Sequence, residues 1–99
     1  MSDKQKRFLH VGFSRPAGAD VKQFEAVFDK AASWIRYAPN CWILYTAISP
    51  ESWTARVRAI PGMEKRNIFV AEFDYDQASG NLPDWAWEWL VEHKLEHKS

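Results

Sequence analysis

The amino-acid sequence predicts an α+β fold: a four-stranded antiparallel sheet, two helices on one of its faces, and a further helix at the C-terminus. Two periodicities and one kind of punctuation predict it. Aromatic and β-branched residues fill short runs in which successive side chains alternate between two faces, as in half-buried strands. In other runs the apolar residues recur every third or fourth position, as on one side of a helix. Between them fall proline, glycine, asparagine and serine, the residues that start and end elements. A chain of 99 residues that is 46% hydrophobic and 15% aromatic suffices for one domain, 1–99, with its own core.

The first strand is "RFLHVGFS", Arg7–Ser14. Leu9, Val11 and Phe13 point to one side of it, and Phe8, His10 and Gly12 to the other. Residues 1–6 before it are polar and charged and read as a flexible N-terminus. Pro16 and Gly18 then break the pattern. Asp20 is placed to cap a helix, with Gln23 three residues on to complete a capping-box pair. Val21, Phe24, Val27, Phe28 and Ala31 follow at helical spacing, so this helix is expected to end near Ala31–Ser33. "SWIRY" and "CWILYTA" flank Ala38-Pro39-Asn40, where proline and asparagine suit a hairpin turn; alternatively the first run extends the helix. Ser49, Pro50 and Glu51 make a helix start: a cap, a first-turn proline, and a carboxylate at the positive end of the dipole. Trp53, Val57 and Ile60 mark its buried stripe, and Pro61–Gly62 stop it. Arg66–Tyr75 is the last core strand. The order β-α-β-β-α-β is that of the ferredoxin-like split βαβ motif.

The C-terminal stretch "NLPDWAWEWLVEHK" carries tryptophans at alternate positions 85, 87 and 89, a strand-like spacing. Its flanks favour a helix over 83–97. Pro83 suits the first helical position, Asp84 the positive dipole end, and His93 and Lys94 the negative one. At about 100° per residue, Trp85 and Trp89 share one side and Trp87 lies nearly opposite, beside Leu90 and Val91. So wide an apolar arc calls for cover from two sides. That makes Trp85, Trp87, Trp89 and Leu90 the candidate interface residues of a homodimer.

Charge narrows the function classes. Thirteen basic residues balance thirteen acidic ones, against the basic excess usual in a nucleic-acid binder. Residues 1–60 nevertheless hold nine basic and five acidic residues, and 61–99 four basic and eight acidic. No apolar run of about 18 residues is present to span a membrane. Cys41 is the single cysteine, so no internal disulfide forms; a reducing, cytoplasmic setting is expected.

Few residues suggest chemistry. Glu72, Asp74 and Asp76 alternate along the last strand and project to one side, a spacing that suits Mg²⁺ or Ca²⁺. His10 is a candidate general base if Glu72 or Asp74 reaches it from a neighbouring strand. Arg15, Arg36, Arg56 and Arg58 are candidate nucleic-acid contacts. Phe69 and Phe73 share a strand face, as base-stacking aromatics do. No GxGxxG, P-loop, HExxH or CxxC motif occurs, and no metal or cofactor is expected.

The segments "SWIRYAPNCWILYTAISPESWTARVRAI", "RNIFVAEFDYD" and "NLPDWAWEWL" together resemble the small bacterial SinR-like family. The residues that carry the likeness are Trp34, Tyr37, Trp42 and Leu44 in the hairpin, then Leu82, Pro83, Ala86, Trp87, Glu88, Trp89 and Leu90 at the end. The resemblance implies a ferredoxin-like homodimer, similar in fold to the small nucleases of CRISPR adaptation and to VapD-type toxins. Some of those cleave nucleic acid with a metal, using an acidic residue at the end of the first strand. Ser14 stands at that place here. A neutral hydroxyl is a poor substitute for a carboxylate as a Mg²⁺ ligand. The expected function is therefore a non-enzymatic interaction or regulatory module. The alternatives are a metal-dependent nuclease using His10, Glu72 and Asp74, or nucleic-acid binding without cleavage.

Overall fold

The computed structural model describes residues 5–98, with side chains as far as Leu95. The elements are β1 (Arg7–Phe13), α1 (Val21–Phe28), β2 (Ser33–Ala38), β3 (Cys41–Thr46), α2 (Pro50–Arg58), β4 (Ile68–Phe73) and α3 (Asp84–Lys98). A single 3-10 turn, Tyr75–Gln77, follows β4. The four strands form one antiparallel sheet in the order β2-β3-β1-β4. Residues 1–4 of the expected flexible N-terminus lie outside the described residues; Gln5 and Lys6 are exposed.

Alternation along the strands builds two cores. On one face Leu9, Val11, Phe13, Trp42 and Leu44 meet Phe24 and Phe28 of α1 and Trp53 and Val57 of α2, all buried. Phe13 stacks on Trp42 at 5.1 Å between ring centroids and on Phe24 at 4.7 Å. On the opposite face Phe8, Ile43 and Tyr45 pack under Leu90 of α3, with Phe73, Tyr75, Trp87 and Trp89 around them. Both faces are thus used: the two βα helices cover one, and the C-terminal helix covers part of the other.

The cross-strand register divides the α3 face into three rows. Phe73, Phe8, Tyr45 and Ser33 form the row at the end where β1 begins; Ala71, His10, Ile43 and Ile35 form the middle row; Phe69, Gly12 and Cys41 form the third. α3 covers the first row. Trp89 Nε1 donates to Ser33 Oγ at 2.9 Å, and His93 stacks on Tyr45 at 4.7 Å. The third row is left open, with Phe69 67% exposed.

Several boundaries move from their expected places. α1 ends at Phe28, not near Ala31–Ser33, because the chain turns directly into the sheet: Ala31 N–H donates to Phe28 O and Ala32 N–H to Tyr45 O. "SWIRY" is accordingly the body of β2 and not a helix extension. Asp20 caps α1 through the backbone N–H of Lys22 at 3.0 Å, while the Gln23 N–H goes to the Asp20 carbonyl. β4 begins at Ile68, later than Arg66, since Arg66 is spent on the preceding loop. Its N–H donates to Met63 O and its carbonyl accepts from Arg58. The Ser49 cap, the α2 stripe of Trp53, Val57 and Ile60, and the α3 helix occur as expected.

The arrangement of tryptophans on α3 differs from the expectation. Trp87 and Trp89 do not face opposite partners. They flank the buried spine of Ala86 and Leu90, and both are half-buried in the second core. Trp87 meets Tyr75 edge-on at 6.3 Å, and Trp89 leans on Phe8 at 5.9 Å. The angular spacing holds, but an indole is long enough to reach round a helix flank to the sheet. Trp85 is the tryptophan that turns outward, 50% exposed, with Val91 and Leu95 also on the outer side.

Candidate functional site

The expected acidic cluster is dispersed by the register. Glu72 pairs with Leu9 and His10 pairs with Ala71, so alternation puts the carboxylate and the imidazole on opposite sheet faces. Glu72 instead meets Arg7, Nη1 to Oε1 at 3.2 Å. Asp74 lies beyond the end of β4, where its Oδ1 accepts from the Asp76 N–H at 3.0 Å and caps the 3-10 turn. Asp76 accepts from Lys94 Nζ at 2.7 Å, a bond that raises the Lys94 pKa. Among the described residues no three His, Cys, Asp or Glu side chains come together to hold a metal ion. Ser14 serves the backbone: its Oγ accepts from the Asn67 N–H at 3.3 Å and its N–H donates to Asn67 O, joining the ends of β1 and β4.

The four arginines are also separate in role. Arg58 Nη1 donates to the carbonyls of Met63, Glu64 and Arg66 at 2.7–3.0 Å, which fastens the loop between α2 and β4. Arg36 donates to Pro39 O at 2.8 Å and lies over the Trp42 ring at 5.3 Å. Arg56 lies over the Trp53 ring at 5.1 Å. Arg15 follows β1 and is half-buried. Two of the four are thus engaged with backbone carbonyls of their own hairpin or loop.

What the fold does assemble is a polar chain on the α3 face. His10 Nε2 and the Tyr37 hydroxyl are 2.6 Å apart, bridging β1 to β2 over the intervening β3. The Cys41 thiol lies near enough to the same hydroxyl to raise its pKa. Burial holds the His10 imidazole below its ordinary pKa of 6.5, so it is neutral at neutral pH. Tyr37 is pushed up to about 12, first by burial and then by the hydrogen bond to Cys41 and its charge. Two neutral arrangements satisfy the pair: the phenol donates to Nε2, or it accepts from Nε2–H. Gly12 lies beside His10; a Cβ there would stand 3.4 Å from the imidazole Cε1.

This pair lines a groove of about 420 Å³ between the sheet, the loop 78–82 and the start of α3. Ile43, Phe73, Leu82, Trp87 and Leu90 supply apolar walls, and Ser79 and Asn81 add polar side chains. Among the described residues no carboxylate, lysine or arginine lines it. Sequence reasoning singled out His10 but gave it the wrong partner and passed over Tyr37 and Cys41. The available signal was parity: Cys41 lies on the strand face of Ile43 and Tyr45. The same parity puts Tyr37 with Ser33 and Ile35 on this face of β2.

A second concavity of about 400 Å³ lies where β1 begins, between Arg7, Phe8, Glu72, Asp74, Asp76 and Lys94. Arg7 pairs with Glu72 there and Lys94 with Asp76, while Asp74 caps the 3-10 turn.

Compared with models of protein families, with curated proteins and with solved structures, the chain matches none. Among the described residues no helix is long and apolar enough to cross a membrane.

Proposed function

We propose that the chain is a non-enzymatic interaction module that acts as a homodimer through the outer side of α3. The observation that carries this reading is the two-sided apolar character of that helix. Ala86 and Leu90 are buried against the sheet, yet Trp85, Val91 and Leu95 are 50%, 39% and 62% exposed on the side away from it, with the exposed Glu88 and Glu92 interspersed. A second copy buries each such surface against its like by a two-fold contact, and no other partner is required. One helix face supplies less than the roughly 800 Å² per partner of a standard interface, so association in the micromolar range is expected. Sedimentation over roughly 1–100 µM tests the reading. A Trp85→Ser, Leu95→Ser double variant is expected to stay monomeric and folded.

The ferredoxin-like assignment belongs to the same proposal. It is supported by β1 and β3 lying side by side at the centre of the sheet with β4 beside β1 and β2 beside β3. The SinR-like assignment rests on the sequence motifs alone, and the Leu82–Leu90 motif corresponds to the start of the helix invoked here.

A second reading, single-stranded nucleic-acid binding, is favoured by one observation. Phe69 is 67% exposed on the open row, next to Gly12 in register, and Arg15, Lys65 and Arg66 follow or precede the strand ends on that side. A filter-binding titration across salt tests it through the slope, with Phe69→Ala and Arg15→Ala as the weakening variants. The nuclease alternative finds no such support, because His10, Glu72 and Asp74 are apart.

A further inference from the structure

The geometry points to a binding site for an uncharged, planar aromatic molecule of one or two rings, carrying one hydrogen-bonding group, in the groove between loop 78–82, α3 and the middle row of the sheet. The site is independent of the proposed dimer contact. It lies on the sheet side of α3, whereas Trp85, Val91 and Leu95 face away.

Three features define the ligand. The first is size: about 420 Å³ falls at the small end of ordinary ligand pockets. The second is wall chemistry. Tyr37, Phe73 and Trp87 present aromatic surface, and Ile43, Leu82 and Leu90 aliphatic surface, which suits a flat apolar body. The third is charge. None of the described lining side chains is ionised at neutral pH, since the imidazole and the phenol are both held neutral. A carboxylate or ammonium on the ligand would lose water and gain no counter-charge, so charged molecules are rejected.

Specificity then falls to His10 and Tyr37. Their 2.6 Å hydrogen bond has two neutral arrangements, phenol to imidazole or imidazole to phenol. A ligand that donates to this pair selects one arrangement and a ligand that accepts selects the other. The same groove therefore takes a phenol or an amide without a buried polar group being left unmatched.

The test uses the full chain and named probes: phenol, indole and benzamide as uncharged molecules, benzoate and benzylamine as their charged counterparts. Two-dimensional NMR follows the imidazole of His10 and the amides of Ser79–Leu82. Uncharged probes are expected to shift these signals saturably at low millimolar concentration, with benzoate and benzylamine at least about ten-fold weaker. Ala78→Trp, an exposed loop position on the rim, is expected to fill the groove and weaken the uncharged probes about ten-fold while the rest of the spectrum stays native. Tyr37→Phe is expected to keep indole but to weaken phenol relative to it. No saturable shift with any uncharged probe overturns the proposal. So does equal binding by the charged counterparts, or binding unchanged in Ala78→Trp.

Discussion

Replacing Leu90 by alanine tests whether α3 is a structural part of the domain. Leu90 is 2% exposed and sits at the centre of the second core, against Phe8, Ile43 and Tyr45. The substitution removes three carbon groups, worth about 0.8 kcal/mol each in transfer free energy, or roughly 2.4 kcal/mol together. The cavity adds about 24 cal/mol per Å³ that the surroundings fail to fill. Trp87 and Trp89 flank the site and are anchored at Tyr75 and Ser33, so little collapse is expected. The total is about 3 kcal/mol, a large part of the roughly 5–15 kcal/mol of a domain this size. In thermal unfolding that is a fall in Tm of roughly 12–24 °C. Urea unfolding at a concentration low enough to hold the chain monomeric measures it directly. Trp85→Ala in the same assay is expected to cost under about 0.5 kcal/mol, because that indole faces outward. A cost below about 1 kcal/mol for Leu90→Ala, or equal costs for the two, would refute the inward and outward assignment of the helix.

Three further predictions address single residues. Arg58→Met removes a charged donor from three carbonyls and is expected to cost about 2 kcal/mol in urea unfolding without altering nucleic-acid affinity; a large loss of affinity in a fully stable variant contradicts its structural role. Gly62 has φ +93°, and a Cβ there would lie 3.3 Å from Pro16 Cγ. Gly62→Ala is expected to destabilise by about 1 kcal/mol after the gain from a stiffer unfolded chain, and a neutral or stabilising result contradicts the left-handed geometry. His10 is expected to titrate below 6.5 by NMR. The unfolded imidazole takes its proton near 6.5 and the folded one resists it, so the stability from His10 is whole above that pH and is lost as the pH falls from 6.5 to the folded value. His10→Gln is expected to flatten that part of the stability curve, and titration of His10 at or above 6.5 contradicts the burial account.

Local chemistry made the elements legible. Ser49-Pro50-Glu51 and Asp20 announce helix starts because a cap needs only its own next few residues. Trp53, Val57 and Ile60 announce a buried stripe because 3.6-residue periodicity is a property of the segment. The site was less legible because it depends on register between segments distant in sequence. Glu72 and His10 do lie on neighbouring strands, but a single step of register separates them to opposite faces. Tyr37 reaches His10 across β3, between strands that are not neighbours in the sheet. The tryptophan alternation carried both kinds of information. Its helical nature followed from Pro83 and Asp84, but which indoles turn inward depended on the sheet that meets them.

The mass of the chain in solution tests the proposed homodimer most directly. Sedimentation equilibrium across micromolar concentrations is expected to pass from 11.5 kDa toward twice that value as concentration rises, and Trp85→Ser with Leu95→Ser is expected to hold the lower mass. A constant 11.5 kDa for the natural sequence up to about 100 µM contradicts it.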